Sequence, residues 1–332
     1  MNKRSKREMN IIGIDVSKAK LDCAWFKEDN KVKTKVFTNQ LEGWKELVSW
    51  AKTQTGNELS ELHFVMEATG IYHENVATWL HDSGATVSIA NPAHVKYYAQ
   101  SLGGRTKNDK KDSIVLARYG IKEHPMLWHP APQEMRALKA LLTRLDAVEK
   151  DLQREKNRHE KIIVSDTPTA VLASIKQMIE HLETEQKTLE KLIDDHIKAH
   201  KNLKENKALL ETIPGIGKVM SQRMLMILGT HQFKDAHQCA AYLGLVPVQK
   251  QSGSSIKGRS QLAKNGNKTV RAKLYMATVT ATRYNPDIKA QYERLTKKGK
   301  SKMSALGAAM RKLVQICFGV FKHQLPYQPQ SA

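Results

Sequence analysis

Four acidic residues have the types and positions that metal-dependent chemistry requires. Asp15 ends an apolar segment (IIGID), Glu67 ends another (LHFVME), and Asp109 and Asp112 lie three residues apart in RTKNDKKDS. Carboxylates held close together repel and raise each other's pKa unless a cation joins them. Several such carboxylates can hold a pair of divalent ions for phosphoryl transfer. The set therefore predicts a metal site for phosphodiester chemistry, and the competing interpretation is four unrelated surface acids.

Each acid also has a simpler explanation when it is taken alone. Asp15 could begin a turn, and Asp109 could be the N-cap of a helix whose first turn accepts the negative charge of Asp112. Glu67 is harder to explain in this way, because an unpaired carboxylate in a half-buried strand is costly. A cationic partner is therefore expected at Glu67.

The overall charge favours a polyanionic partner. The 332-residue chain has 54 Lys and Arg against 33 Asp and Glu, a net charge of +21. Such an excess favours nucleic acid through counterion release. No apolar run approaches the roughly 20 residues that span a bilayer, so no membrane partner is expected.

The cysteines and the N-terminus indicate a cytoplasmic protein, and the family resemblance given below adds the expectation that it is bacterial and nucleoid-associated. Cys23, Cys239 and Cys317 are far apart and form no CxxC pair, which favours buried free thiols in a reducing compartment. The first apolar segment, residues 11–14, is too short for the core of a signal peptide.

The elements that must position these acids form an α/β region over residues 10–125. Short strand-forming segments alternate with helical ones, and the three strands that come first are predicted to form a meander. This is the element order of an RNase H-like (RuvC-like) fold. The predicted strands are Asn10–Asp15, Leu21–Phe26, Lys33–Phe37, Leu62–Glu67 and Ala85–Ala90, and the predicted helices are Leu41–Lys52 and Tyr72–Asp82.

The middle of the chain has the apolar spacing of a coiled coil. Apolar residues recur at steps of three and four in two segments separated by Ser165–Pro168, a helix-start signal. We expect a hairpin of two long helices or pairing between subunits; the alternative is two helices packed on one globular domain. The seams contain Leu138, Leu141, Leu145, Val148 and Leu152, then Ile175, Ile179, Leu182, Gln186, Leu189 and Ile193.

The last third is predicted to be mainly helical, with two features that could contact phosphates. Residues 213–217 (IPGIG) favour the hairpin of a helix-hairpin-helix, whose backbone N–H groups can face a phosphate; a plain helix connector is the alternative. Residues 249–267 form a basic, Gly- and Ser-rich insert. Its SGSS sequence could supply a nucleophilic serine near Lys257, Arg259 and Lys264, although a flexible linker is the commoner meaning of such a segment.

Seven segments, taken together and in this order, resemble the DEDD-type insertion-sequence transposases. This family includes the pilin-gene invertase and the bridge-RNA-guided recombinases. The similarity covers nearly the whole chain. The segments are GIDVSK, MEATGIY, NPAHVKYYAQS, KNDKKDS, IPGIGK, AAYLGLVPVQKQSGSS and AAMRKL.

The resemblance implies a division into domains and a set of site residues. The domains would be a RuvC-like domain (8–130), a coiled-coil hairpin (131–205) and a transposase domain (206–326). Asp15, Glu67, Asp109 and Asp112 would bind Mg²⁺ (or Mn²⁺), and Ser252 would be the nucleophile. The family's third block usually reads K-T-D-x-x-D-A; here Asn108 and Ser113 replace the Thr and Ala, and both acids are kept.

The resemblance also implies the reaction and the partners. Strand exchange would pass through a covalent phosphoserine, with donor and target double-stranded DNA held by a dimer or tetramer. A noncoding guide RNA would select both DNAs by base pairing. Expected phosphate contacts are Arg105, Lys107, Lys257, Arg259 and Lys264.

Three other functions compete with this interpretation. A RuvC-like junction nuclease would use water and would need no serine. A sugar kinase-like ATPase is suggested by IIGIDVSKAKLD, which loosely resembles that fold's first phosphate loop. A non-enzymatic RNA-binding protein would not need Asp15.

Overall fold

A computed structural model describes residues 10–27, 31–68, 70–103, 109–164, 167–248, 251–252, 256–257, 261–263 and 266–330. It describes only the backbone of Asp109, Lys110, Gln251, Ser252, Ile256, Lys257 and Gln261. The chain forms two compact units that divide between Pro130 and Ala131. Each unit is described by itself below.

The N-terminal unit is built on a five-stranded mixed sheet in the order β3-β2-β1-β4-β5. The three strands that come first are antiparallel neighbours, and β4 and β5 run parallel to β1. The predicted meander and the alternation that follows it are therefore confirmed. The strands are β1 (Ile11–Val16), β2 (Lys20–Phe26), β3 (Val32–Thr38), β4 (His63–Glu67) and β5 (Thr86–Ala90).

Helices cover both faces of this sheet. Because successive side chains of a strand point to opposite faces, Ile12 and Ile14 face one apolar cluster and Ile11 faces another. Helices α1 (Leu41–Thr55) and α2 (Glu74–Asp82) pack on the first face, and α3 (Pro92–Ser101) and α4 (Asp109–Glu123) on the second. Helix α2 begins two residues later than predicted, because residues 70–73 form a turn.

Two long helices follow, α5 (Gln133–Ile163) and α6 (Thr169–Ala199). They run antiparallel, with Lys156 Nζ 2.7 Å from Glu183 Oε1 and His196 Nε2 2.8 Å from the carbonyl oxygen of Glu134. The predicted seam is present, with one shift: Leu142 is buried and Leu141 is half-buried. On α6, Leu189 and Ile193 are buried, and the earlier seam residues are half-buried.

The rest of the C-terminal unit is mainly helical, as predicted. One apolar core joins the base of the α5–α6 hairpin to the helices that follow. The basic insert contains short antiparallel ladders, which the prediction of a flexible insert missed. The helices are α7 (Lys201–Glu211), α8 (Lys218–Thr230), α9 (Ala236–Tyr242), α10 (Lys268–Tyr284), α11 (Pro286–Lys297) and α12 (Lys302–His323); the strand pairs are β6 (Pro247–Val248) with β9 (Gln261–Leu262) and β7 (Gln251–Ser252) with β8 (Ile256–Lys257).

Buried charges connect α5 to α8 and α10. Arg223 is 1% exposed, and its Nη2 lies 2.7 Å from Asp146 Oδ1. Its Nη1 also donates to the carbonyl oxygen of Leu142 at 3.1 Å. Lys273 Nζ donates to both oxygens of Glu149, at 2.9 and 2.6 Å. These contacts fix the rotation of α5 against the helices beneath it.

Helix α12 is an exception to the sequence prediction that no apolar segment is long enough to span a bilayer. Within the described ranges it is the one helix that is long and apolar enough, by length and composition, to cross a bilayer. Its apolar face, which includes Leu313, Val314 and Cys317, lies in the core of the C-terminal unit. Packing against other helices therefore explains its composition.

The three cysteines are buried free thiols, as predicted. Burial raises the pKa of Cys239 to about 12, and it also raises the pKa values of Cys23 and Cys317. Thiols of this kind are poor nucleophiles because the thiolate is the reactive form. They are part of the core.

Candidate active site

Parallel pairing brings Asp15 and Glu67 to the same end of the sheet. In the register of β1 and β4, Ile14 lies opposite Met66, and the two acids are the next residue of each strand. Neighbouring strands lie about 4.8 Å apart. The side chains of adjacent parallel strands at the same level point to the same face, so both acids project from one face at the carboxyl ends of β1 and β4.

The first turn of α4 lies on that same face. Asp15 lies two residues after Gly13, and Glu67 two residues after Val65, so each acid points to the same face of the sheet as the residue that faces α4. At Gly13 an added Cβ would lie 2.2 Å from the backbone N of Ala117 and 2.3 Å from the carbonyl oxygen of Ser113. Only a glycine permits this close approach. The packing therefore brings the start of α4 to the strand ends that carry the acids.

Asp112 precedes the fully buried Ser113 in that first turn, and its side chain is half-buried. Asp109 begins the helix, and its side chain lies outside the described residues. Among the side chains that the structure does describe, no three His, Cys, Asp or Glu residues form a group that could hold a metal ion. The structure therefore places Asp15, Glu67 and the first turn of α4 at one edge, and ligation by all four acids stays a prediction.

A fifth carboxylate, Asp22, lies directly opposite Asp15 in the β1–β2 pair. Directly opposed residues point to the same face, and like charges there are destabilising. Asp22 is 7% exposed, and its Oδ2 lies 3.0 Å from Lys20 Nζ. The sequence prediction missed Asp22. The tight turn between Ser17 and Lys20 could have indicated it, because this turn sets the register of β1 against β2 and so places residue 22 opposite residue 15.

The donor set at this edge fits a hard divalent cation. Carboxylate oxygens are the ligands that Mg²⁺ and Mn²⁺ prefer. Opposed acids on adjacent strands also favour a cation, because it removes their mutual repulsion. Asp15, Glu67 and Asp112 are the described acids of the predicted set at this edge, with Asp22 and Lys20 beside them. As their side chains lie in the structure they do not form a metal-holding group, so joint ligation of a cation stays a prediction.

Ser252 ends strand β7 and pairs with Ile256 of β8. Gln251 pairs with Lys257 in the same two-stranded ladder. Ser252 therefore lies in a two-stranded ladder of the C-terminal unit. The other three residues of SGSS lie outside the described residues, and the choice between a nucleophile and a linker stays open. The side chains of Ser252 and Lys257 lie outside the described residues.

The other predicted phosphate contacts cannot be placed. Arg105, Lys107, Arg259 and Lys264 all lie outside the described residues. Their roles stay predictions.

The IPGIG segment connects α7 and α8, as the helix-hairpin-helix interpretation requires. Ile213 and Ile216 are buried, and Gly215 has a φ of +99°. An added Cβ at Gly215 would lie 2.6 Å from the Cβ of Ala281 on α10, so this glycine is needed for packing. Gly217, at the start of α8, is exposed. Phosphate binding at this hairpin stays a prediction.

Two transposase family models match the chain. A DEDD-type model of the IS110 group, described as "Transposase", matches residues 12–168. A second, described as "Transposase IS116/IS110/IS902 family", matches residues 207–293. The four predicted acids and Ser252 therefore all lie inside segments matched by transposase models.

Full-length relatives extend this similarity. The pilin gene-inverting protein of Moraxella lacunata is 37% identical over 319 residues, which cover 95% of this chain and 97% of that protein. The pilin gene-inverting protein of Moraxella bovis matches with the same values. The transposase for insertion sequence element IS1111A of Coxiella burnetii is 24% identical over 297 residues, covering 82% of this chain and 78% of that protein.

Proposed function

The chain belongs to the IS110 family of DEDD-type transposases, and we propose that it exchanges DNA strands at the ends of an insertion sequence through a covalent phosphoserine at Ser252. The observation that carries this proposal is the carboxylate edge, where parallel pairing and the Gly13–α4 contact bring acids from three separate segments to one end of the sheet. The pilin gene-inverting relatives support recombination as the outcome of the reaction.

The fold that we propose for the N-terminal unit is RNase H-like. Three antiparallel strands followed by two strands parallel to β1, with helices on both faces, support this assignment. We also propose the three domains at 8–130, 131–205 and 206–326. The 8–130 domain would be catalytic, and the other two would share the single core of the C-terminal unit.

We assign Asp15, Glu67, Asp109 and Asp112 to a divalent metal, Mg²⁺ or Mn²⁺. The DEDD-type family match supports the use of a divalent ion. When bound, the ion would polarise the scissile phosphate and stabilise charge on the leaving oxygen. The protein's own contribution is to orient the acids on a rigid sheet and to neutralise Asp22 with Lys20.

Ser252 would form the covalent bond to DNA. Its Oγ would attack the phosphorus, so that an Oγ–P bond forms while the P–O bond to one strand breaks. The Oγ proton would leave with the departing strand as its hydroxyl. The reverse attack, by the hydroxyl of the partner strand, would release the serine and complete the exchange. The short β7–β8 ladder is suited to present such a serine, because its pairing holds the backbone of residue 252.

The partners that we propose are those that the family resemblance implies. Donor and target double-stranded DNA would be held by a dimer or tetramer, and a noncoding RNA from the element would select both by base pairing, within the bacterial cytoplasm. Arg105, Lys107, Lys257, Arg259 and Lys264 would contact phosphates. The net charge of +21 supports polyanionic partners of this kind.

Trapping the covalent intermediate tests the proposal. The full chain is incubated with guide RNA, Mg²⁺ and an element-end DNA that is nicked beside the crossover, so that one product diffuses away. We expect an adduct that maps to Ser252 by mass spectrometry. Ser252→Ala and Asp15→Asn should abolish it, and the matched control Ser255→Ala should retain it. Cleavage by Ser252→Ala at the normal rate would instead establish the junction nuclease that uses water.

A further inference from the structure

Two large apolar side chains are exposed beside the carboxylate edge. Ile71 is 73% exposed and Tyr72 is 41% exposed. Both lie in the turn of residues 70–73, which follows β4 and begins three residues after Glu67. Exposing such side chains to water is unfavourable, because the hydrophobic effect favours burial of apolar surface.

The backbone of this turn is held at several points. The backbone N of Glu74 donates to the carbonyl oxygen of Ile71 at 3.2 Å, and His73 is buried. Asn39 Nδ2 donates to the carbonyl oxygen of Tyr72 at 3.1 Å. The turn therefore presents Ile71 and Tyr72 on a fixed support.

Asn39 also ties the turn to the segment that carries Asp15. The same Nδ2 donates at 2.9 Å to the carbonyl oxygen of Ser17, two residues after Asp15. Asn39 Oδ1 accepts a hydrogen bond from Trp44 Nε1 at 3.0 Å, which holds the amide in this orientation. The two apolar side chains thus lie where the β1–β2 turn and the end of β4 meet.

The surroundings of Ile71 and Tyr72 favour a nucleic acid base as the group that packs against them. Lys18 is exposed in the β1–β2 turn and can contact a phosphate. A base has an apolar face with a phosphate close by, and stacking on an aromatic ring is tolerant of sequence. Bases inside a duplex are already stacked, so a free base face requires an unpaired nucleotide. Strand exchange provides one, because each strand must leave its partner before it pairs with another.

We propose that Ile71 and Tyr72 stack against a DNA base that has left its pair next to the scissile phosphate. The inference rests on the proposed function for the identity of the DNA. It assigns a positioning surface that the four acids and Ser252 do not supply. It also predicts that, when the protein is saturated with DNA, the rate of exchange depends less on this surface if the DNA is already open, because the base need not leave a pair.

The binding test uses element-end DNA with an unpaired 2-aminopurine beside the crossover. It is carried out on the full chain in a Ser252→Ala background, so its result does not depend on the serine chemistry. We expect the protein to change the probe's fluorescence, Tyr72→Ala to weaken this binding about 10- to 100-fold, and Tyr72→Phe to retain it. Tyr284→Ala, which removes a tyrosine 69% exposed in the other unit, is the matched control.

The exchange test compares fully paired DNA with DNA that is mismatched beside the crossover. At saturating DNA, Tyr72→Ala and Ile71→Ala should slow exchange on paired DNA and approach the wild-type rate on mismatched DNA. Equal probe responses for wild type and Tyr72→Ala would overturn the proposal. Footprinting in which Tyr72→Ala exposes the guide RNA and not the DNA would also overturn it. So would variants of Ile71 and Tyr72 whose sole defect is a loss of self-association. If the probe responds as expected but the trapping experiment with the wild-type chain gives no adduct at Ser252, only the phosphoserine mechanism is overturned.

Discussion

The two units differ in how they arrange charged side chains: one gathers acids at the end of a sheet, and the other pairs opposite charges between helices. In the N-terminal unit, Asp15, Asp22 and Glu67 lie at the end of a sheet on one face. In the C-terminal unit, Arg223 and Asp146 form an ion pair between helices, with Arg223 fully buried. Like charges gathered at an edge contribute nothing favourable to folding by themselves, whereas a buried pair becomes costly when one partner is removed. The first arrangement indicates function and the second indicates structure.

The distribution of tryptophan allows the two units to be followed separately. All five tryptophans, Trp25, Trp44, Trp50, Trp79 and Trp128, lie in the N-terminal unit. Their emission therefore reports that unit alone. Far-ultraviolet circular dichroism is dominated by the C-terminal unit, which contains two helices of 31 residues each.

The largest effect is expected from Asp112→Asn. Substituting residues that merely support a metal ligand typically costs 10- to 100-fold, so loss of a ligand should lower recombination by more than about 100-fold. Stability should change by less than about 1 kcal/mol, because the residue lies at the edge and not in the core. Recombination is measured by amplifying the new DNA junction in cells, with protein level as the control. Full activity in Asp112→Asn would remove this residue from the site.

The next largest effect is expected from Arg223→Met. The substitution leaves the Asp146 carboxylate without the guanidinium; burial already raises the pKa of Asp146, and the Arg223 charge opposes that rise. Breaking a buried pair in this way costs about 3–5 kcal/mol. The loss should appear in circular dichroism on urea unfolding, while tryptophan emission changes little.

The double variant Arg223→Met with Asp146→Leu is the control for this prediction. It removes both charges, and an apolar pair of similar volume is often as stable as a buried ion pair. Most of the lost stability should therefore return. If the double variant is no more stable than Arg223→Met, the effect is one of packing and not of charge.

The smallest effect is a pH dependence confined to the N-terminal unit. Burial, followed by the nearby His124 charge, lowers the pKa of His63 to about 4, and its Nε2 lies 2.8 Å from Ser88 Oγ. The unfolded chain binds a proton near pH 6.5 and the folded chain does not. Stability should therefore fall as the pH drops from about 6.5 to about 4, by up to about 3 kcal/mol. His63→Gln should flatten this dependence in tryptophan emission; an unchanged slope would assign it to other groups.

Local patterns accounted for most of the elements. Strand-forming residues with partial alternation predicted a strand at Asn10–Asp15, which the structure has at Ile11–Val16. Three-four spacing predicted the seam through Leu138, Leu145 and Val148. These signals are readable because side-chain direction follows directly from backbone periodicity. The family's order of motifs added Ser252, which spacing alone could not distinguish from a linker.

Long-range contacts set the rest. Residues 251–262 contain two-residue strands, whose ladders are too short to leave a periodic signal. The pair of Arg223 with Asp146 joins residues 77 positions apart in sequence, and no local pattern indicates such a partner.

By itself, the sequence determined which acids end strands, which helix faces are apolar, and that the chain is strongly basic. Only the tertiary structure decided that Asp22 opposes Asp15, that α4 approaches Gly13 closely enough to bring Asp112 to the same edge, and that Asn39 holds the turn bearing Tyr72. The physical reason is that periodicity depends on neighbouring residues, whereas convergence depends on strand register and on how closely a helix can approach a sheet.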